Sequence, residues 1–437
     1  MISYPEALPG QNAGPVPVAE RVIALDTLRG VAVMGILVMN VYAFAMPLAA
    51  YYNPLLMGGT DALNMGTWFF THLLFDQKFM SIFAMLYGAG IVMMMKRAEL
   101  RSVTLGPIFY RRSILLIVLG LLHGYFIWFG DILFHYALMG MLVFLLRKAS
   151  PRTLITVACA LLPVTLLINY GSSFYVEELQ AEVTRIETQQ ADGAVLDAEQ
   201  QRRLEEWQEI RAVFAPNEED IAEEVAAYRG TYIDTLMQRA PFVAFMQVNL
   251  TLVFVVWRVG GLMLLGMALM KLGVFSGERS TRFYERMTLI GYGVGLPLVI
   301  LSAVLLEAHE FDPLYVARYG GIYNYFGSVL VALGHIGAVL LVVKSGAWQA
   351  LVRRFAAVGR MALSNYLVHS LVMTTLFYGY GLGLYAEVPR VLQQCFVVAL
   401  ISLQLLLSPW WLTHFRFGPA EWLWRSLTYG QRQPMRR

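Results

Sequence analysis

Long apolar stretches separated by short polar connections dominate this chain. They lie near residues 24–46, 67–95, 111–129, 131–148, 153–174, 242–270, 286–306, 323–344, 361–381 and 390–411. Each is of the order of the about 20 residues that a helix needs to cross a bilayer. The pattern predicts an all-α, polytopic membrane protein with about ten transmembrane helices. The third and fourth runs are the closest pair, because "GLLHGYFIWFGDILFHYALMG" leaves only Gly130 and Asp131 as a turn. Barrel strands would alternate in segments of about ten residues, and these runs are too long and continuous for that.

The connections alternate in charge. One side collects Lys96, Arg97, Arg101, Arg111 and Arg112, then Arg147, Lys148 and Arg152, then Lys271, Arg279, Arg282 and Arg286, then Lys344, Arg353, Arg354 and Arg360, and the tail from Arg416 to Arg437. The other side has no Lys or Arg from 47 to 66, only Arg318 in its loop, and only Arg390 after the ninth helix. By the excess of cations in cytoplasmic loops, both termini are expected in the cytoplasm. The first run exceeds twenty residues and contains Asp26 and Arg29, so it is expected to stay as a helix rather than leave as a signal peptide.

One connection is different in kind. From Glu177 to Arg239 there are 16 Asp and Glu against 6 Lys and Arg, with helical texture in "AEQQRRLEEWQEIRAVF". This predicts an acidic helical insert on the outer face, either a solvated hairpin or a surface that steers a cationic ligand. The expected organisation is a cytoplasmic segment 1–23, membrane helices over 24–174, the insert over 175–240, further membrane helices over 241–411 and a basic cytoplasmic tail over 412–437.

Composition agrees with the pattern. The chain of 437 residues is 58% hydrophobic and 14% charged, with a mean hydropathy of +0.56, far from the balance of a soluble enzyme. Cys159 and Cys395 lie in apolar runs without a CxxC spacing, so neither a disulfide framework nor a thiolate metal site is indicated. No metal is predicted, since the seven histidines show no HExxH-type spacing. Phosphate-binding loops of the GxxxxGK or GxGxxG kind are absent, and the basic clusters are accounted for by orientation, so no nucleic acid is expected.

Ionisable residues at membrane depth are the candidates for chemistry. Asp26 and Arg29 share a face of the first helix, where they either pair or leave Arg29 to meet a phosphate or carboxylate. Gly30 permits close helix approach, and Asn40 lies farther out on the same helix. Around the short hairpin stand His123, Asp131 and His135. An imidazole whose tautomer is fixed by a carboxylate can take a proton from an alcohol or amine and return it to a leaving group. Asp76, Lys78 and Arg258 each require a partner if buried. In "GRMALSNYLVHS", Arg360, Ser364, Asn365 and His369 form a polar stripe that either lines a cleft or knits helices together.

The strings "RVIALDTLRGVAVMGILVMN", "SIFAMLYGAG", "RRSILLIVLGLLHGYFIWFGDILFHYALMG" and "GRMALSNYLVHS…FRFGPAEWLWRSLTYGQRQPMRR" together resemble the YeiB-like family of bacterial inner-membrane proteins. Their opening LDxLRG motif, here Asp26, Arg29 and Gly30, is similar to that of heparan-alpha-glucosaminide N-acetyltransferase and related transmembrane acyltransferases. That resemblance implies an inner-membrane protein that passes an acyl group from cytoplasmic acyl-CoA, acetyl-CoA included, to a small-molecule, glycan or lipid acceptor at the outer face. It implies His123 as catalytic base and Asp131 as its polar partner. Arg29, Arg111, Arg112 and Arg258 are then the candidate cofactor contacts, and Asp26, Gly30, Asn40, Asp76, His135, Arg360, Asn365 and His369 structural or cleft-lining residues. A homodimer is left open. Two other classes stay in view: a small-molecule or lipid transporter, and a noncatalytic membrane assembly or sensing protein.

Overall fold

The structure is a computed structural model describing residues 23–214 and 216–437, so the expected N-terminal segment 1–23 lies, up to residue 22, outside the described residues. Among them the regular elements are helical, one isolated bridge between Phe415 and Arg436 aside. The described residues begin with α1 (Ile23–Ala45), a short α2 (Leu48–Tyr52), α3 (Ala62–Leu74), α4 (Lys78–Leu100), α5 (Leu105–Phe126) and α6 (Leu133–Val143). The chain continues through α7 (Pro151–Leu161) and α8 (Val164–Ala191) into the insert helices α9 (Ala198–Phe214) and α10 (Glu218–Arg229). After α11 (Tyr232–Leu250), a π-helical stretch Thr251–Val259 leads into α12 (Gly260–Lys271). The remainder is α13 (Thr281–Ala308), the single turn α14 (Pro313–Tyr315), α15 (Gly321–Ser345), α16 (Gln349–Arg360), α17 (Ala362–Phe377), α18 (Arg390–His414) and α19 (Pro419–Tyr429).

All ten apolar runs are helical, and among the described residues eight helices are long and apolar enough to cross a membrane. This is a polytopic all-α membrane protein. The runs at 131–148 and 361–381 give shorter pieces. Residues 133–146 form an apolar helix below spanning length, and α17 has 16 residues, about 24 Å at 1.5 Å per residue against a hydrocarbon core of about 30 Å. Asp131 sits at the start of α6 with its carboxylate on the Phe134 N–H, and α17 ends where Tyr378 turns extended before Gly379, Gly381 and Gly383.

The run at 67–95 also differs from a single expected span. It breaks between α3 and α4, where Gln77 adopts a left-handed φ of 61°. The backbone and side chains freed there form one knot. Lys78 donates to the His72 carbonyl at 2.7 Å and to Asn324 at 2.9 Å, Asn324 donates to Asp76 at 2.7 Å, and Tyr51 donates to Asp76 at 3.3 Å.

Helix α1 is the axis of the bundle. Most of its residues are buried, and it packs on α4, α16, α17 and α18. Two backbone-to-backbone crossings depend on absent side chains. A Cβ on Gly30 would lie 2.0 Å from the Phe355 carbonyl oxygen and one on Gly359 would lie 1.9 Å from that of Asp26, joining α1 to α16. Likewise Gly88 and Gly266 join α4 to α12, each 1.9 Å from an opposing carbonyl oxygen. Such small-residue contacts are a main means of holding helices together in lipid, where apolar burial between helices gives no drive.

The acidic insert is helical as expected, and it is latched to the bundle. The Tyr228 carbonyl accepts from Gly379 N–H at 2.8 Å, Arg229 donates to the Tyr385 carbonyl at 2.8 Å and pairs with Glu387 at 2.7 Å, and Tyr385 donates its hydroxyl proton to Glu224 at 2.9 Å. Burial raises the Glu224 carboxyl above its ordinary range, with the Tyr385 hydrogen bond opposing.

Two predictions follow from this packing. Gly266→Val should destabilise the α4–α12 crossing by at least about 1–3 kcal/mol, the range for overpacking, seen as a lower Tm in detergent. Gly293→Val, at a position with open space around it, should leave Tm nearly unchanged. For the latch, a carboxyl whose pKa is raised by docking binds its proton more tightly when docked. Docking is therefore favoured at acidic pH and weakens as pH rises through the raised Glu224 value. Hydrogen exchange of residues 218–229, corrected for intrinsic rates, should show less protection at higher pH in the wild type, and Glu224→Gln should flatten that dependence.

Candidate active site

The last turn of α5, the turn after it and the middle of α17 meet at one imidazole. His123 Nδ1 lies 3.0 Å from Asp131 Oδ1, and His123 Nε2 lies 2.8 Å from the Ser370 hydroxyl. All three residues are buried. The expected His123–Asp131 partnership is therefore in place across eight residues of sequence, because the chain reverses at Trp128–Gly130 and returns Asp131 beneath the end of α5. Asp131 is itself fixed: its other oxygen accepts from Phe134 N–H at 2.8 Å, at the N-terminus of α6, where a carboxylate is favoured. Gly120 and Gly124 leave room for it, since a Cβ on Gly120 would lie 2.7 Å from Asp131 Oδ2.

A carboxylate can only accept, so Asp131 holds the proton of a neutral ring on Nδ1 and leaves Nε2 as an acceptor toward Ser370. Tyr366, one turn earlier on α17, sets its ring 5.1 Å from the imidazole. Its hydroxyl accepts from the Ile132 N–H at 3.3 Å. Trp128 approaches from another side, with its ring centroid 6.4 Å from that of His123, and stacks on Phe44 at 3.9 Å.

Beyond Tyr366 lies a cavity of about 340 Å³ at the end of the bundle that carries the basic loops. Six arginines line it: Arg29, Arg97, Arg101, Arg112, Arg360 and Arg425, against two acids, Asp26 and Glu421. Its deeper wall is apolar and aromatic, with Phe83, Leu116, Leu133, Tyr136 and Tyr366. Tyr366 thus belongs to both places, lining the cavity on one side and touching the histidine on the other.

The other residues singled out by sequence separate into distinct groups. Asp26 and Arg29 pair at 3.0 Å on the cavity wall. Arg112 lines the cavity with its guanidinium 3.8 Å from the Trp424 ring centroid, while its neighbour Arg111 is exposed and outside the lining. Arg258 is fully buried, donates to the Tyr325 carbonyl at 2.9 Å and to Ser328 at 2.7 Å, and stacks over the Tyr325 ring at 4.0 Å. It belongs to the packing of the π-helical turn against α15 and is not part of the cavity lining. Gly30 serves the α1–α16 crossing, and Asp76 the α3–α4 knot. Asn40 is half-buried on α1, away from the cavity. His135 bonds to the Asp131 carbonyl at 3.2 Å rather than to its carboxylate.

The polar stripe divides: Arg360, the last residue of α16, lines the cavity, while Asn365 and His369 of α17 knit helices. His369 bonds Gln404 at 2.7 Å, Gln404 donates to the Asn365 carbonyl at 3.2 Å, and Asn365 donates to Ser408 at 3.2 Å, all toward α18. The adjoining face, Tyr366 and Ser370, carries the site. Neither had been singled out by sequence, although Ser370 closes the same "GRMALSNYLVHS" string. The spacing of four between Tyr366 and Ser370 puts both on one face, but nothing local says that this face meets His123.

Glu421 is a third residue that sequence reading passed over. It comes from α19, outside the membrane runs, and accepts from the Leu363 and Ser364 N–H groups at 2.7 and 3.2 Å and from the Ser364 hydroxyl. It caps α17, whose own N-cap residue Met361 supplies no side-chain bond. Burial raises its carboxyl above the ordinary range, and the bonds from Ser364 and the helix N–H groups act against that.

The profile of a family described as a protein of unknown function, DUF418, matches residues 269–431, which include Tyr366, Ser370 and Glu421 but not His123 or Asp131. The chain is similar to the uncharacterized protein YeiB of Escherichia coli (strain K12), 32% identical over 420 residues covering 94% of this chain and 96% of that protein. It is also 32% identical to the uncharacterized protein YxaH of Bacillus subtilis (strain 168) over 425 residues, 95% of this chain and 96% of the other. An uncharacterized 39.9 kDa protein of Bacillus acidopullulyticus is 24% identical over 421 residues, 96% and 97% of the two chains.

Removing the cap should loosen the helix that carries Ser370. Glu421→Ala leaves buried donors without their acceptor and should cost about 1–3 kcal/mol, measured as a fall in Tm. Glu421→Gln keeps a carbonyl acceptor and should lose less.

Proposed function

The chain belongs to the YeiB-like, DUF418-containing family, and we propose that it is a transmembrane acyltransferase of a bacterial inner membrane, with its basic loops cytoplasmic and its insert outside. It takes an acyl group from acyl-CoA in the arginine-lined cavity and delivers it to a hydroxyl or amine of a small-molecule, glycan or lipid acceptor. The observation that carries this reading is the His123–Asp131 pair standing one tyrosine behind a cavity with six arginines.

Acyl-CoA matches that cavity in parts. Its phosphates call for several guanidinium forks, which bind phosphate oxygens in pairs, and such forks are offered at the basic end by Arg97 and Arg101 at the end of α4 and by Arg425 of α19. Its narrow arm ends in a thioester, a neutral electrophile suited to the apolar wall near Tyr366. There His123 acts as general base, with Asp131 holding its tautomer and stabilising the imidazolium that forms on proton transfer.

A transporter is the second reading, favoured by one observation. The α3–α4 break buries Asp76 and Lys78 together with His72, whose Nε2 has no hydrogen-bond partner, and broken helices with polar knots at membrane depth are a feature of transporters. The two readings separate cleanly by variant. Asp76→Asn should abolish accumulation of a transported solute in proteoliposomes while His123→Ala spares it, whereas acyl transfer should fail with His123→Ala.

The direct test is binding of acetyl-CoA and longer acyl-CoAs to the purified protein in lipid nanodiscs. Saturable, salt-sensitive binding is expected, weakened roughly tenfold or more by Arg112→Ala or Arg360→Ala, since a hydrogen bond to a charged group contributes about 1.5–3 kcal/mol. His123→Ala should bind as the wild type does. Absence of saturable binding by any acyl-CoA would overturn the proposal.

A further inference from the structure

Ser370 is the ninth of the sixteen residues of α17, fully buried at the middle of the helix. A hydroxyl in a helix usually donates to the carbonyl four residues back, and in this chain Thr27, Ser81 and Thr375 do so at 2.8, 2.6 and 2.7 Å. Ser370 instead meets His123 Nε2 at 2.8 Å. With Asp131 at 3.0 Å from Nδ1, the three residues form the serine, histidine and aspartate relay that activates a hydroxyl for nucleophilic attack, recognised by geometry and not by chain order.

From this relay we infer that Ser370 is a covalent acyl carrier: the acyl group rests on its oxygen between donor and acceptor. The inference rests on the acyl-CoA reading above for its donor. In the first half, His123 Nε2 takes the Ser370 hydroxyl proton as the oxygen attacks the thioester carbonyl. The carbon–sulfur bond breaks, and the leaving sulfur receives that proton from His123 as free thiol. In the second half, the acceptor hydroxyl or amine gives its proton to His123 and attacks the Ser370 ester. The carbon–oxygen bond breaks, and the serine oxygen regains a proton from His123. No oxidant or further reactant enters.

Placement gives the reason for such a carrier. The arginine cavity approaches the relay from the basic end and stops at Tyr366. On the other side stand Trp128 and the aromatic residues Phe377, Tyr378, Tyr385 and Tyr228 of one buried cluster, the last of these contributed by the insert. A residue at the midpoint that holds the acyl group lets the two sides open in turn. Donor and acceptor never need to be bound together, and no continuous path forms through the bundle.

The experiment uses the full chain in nanodiscs with two probes and no acceptor. With acetyl-CoA, the wild type should release about one thiol per chain in a burst and then stop, in the manner of an accumulating acyl-enzyme. Its mass should rise by one acetyl group less one hydrogen, mapped to Ser370. Ser370→Ala should take no label, Ser370→Cys should hold the acetyl as a thioester, and His123→Ala should slow the burst roughly 100-fold or more. The second probe, a fluorophosphonate, reports a nucleophilic serine without any thioester and should label Ser370 in the wild type. Bound acetyl-CoA with no burst and no label from either probe would overturn the carrier and leave the donor reading standing. Fluorophosphonate on Ser370 without acyl-CoA binding would support the nucleophile and overturn the donor reading. Acetyl label surviving in Ser370→Ala would place the acyl group elsewhere and overturn the carrier.

Discussion

Within a bilayer a polar group has no water to turn to, and each one left without a partner costs several kcal/mol. Long spans meet this demand by themselves, because their backbone bonds are internal. Short ones do not. Helices α6 and α17 begin or end inside the protein, so their termini and the polar side chains nearby must be satisfied by other parts of the chain. The hydrogen bonds that do so are the ones that define the site: Asp131 on the start of α6, Glu421 on the start of α17, and His123 joining the two through Asp131 and Ser370.

That requirement explains how much of the structure was readable in the chain. Apolar length and the Lys and Arg alternation predicted ten helical regions, and each is helical. Length alone did not show that two of them fall short of a full span, because Asp131 is a single residue inside otherwise apolar text and the end of α17 at Tyr378 falls inside its own apolar run. The break at Gln77 was hidden in the same way: Asp76 and Lys78 appeared as residues needing partners, but the partner Asn324 comes from a helix far along the chain. Arg258 posed the same question and found its answer in Tyr325 and Ser328 of α15.

The site was half legible. His123 and Asp131 stand out because an imidazole and a carboxylate in apolar surroundings demand explanation. Ser370 and Tyr366 do not, since a serine and a tyrosine in a membrane helix are ordinary, and their role depends on which face of α17 meets α5. The arginines at 97, 101 and 425 were visible only as markers of orientation. A cation that sets topology and one that lines a cavity look alike in sequence, and Arg97, Arg101 and Arg425 are found in the cavity lining.

Helix α17 shows how the packing and the chemistry are kept apart. Asn365 and His369 are bound toward α18 through Gln404 and Ser408, which fixes the rotation of the helix about its axis. With that rotation set, Tyr366 and Ser370, each one position further along, have to point toward the turn between α5 and α6. Histidines 123 and 369 thus stand in different surroundings despite similar burial. His369 spends its ring nitrogen on a glutamine that is itself bonded back to the helix, a closed circuit that holds position. His123 faces a carboxylate on one side and a hydroxyl on the other, an arrangement through which a proton can move.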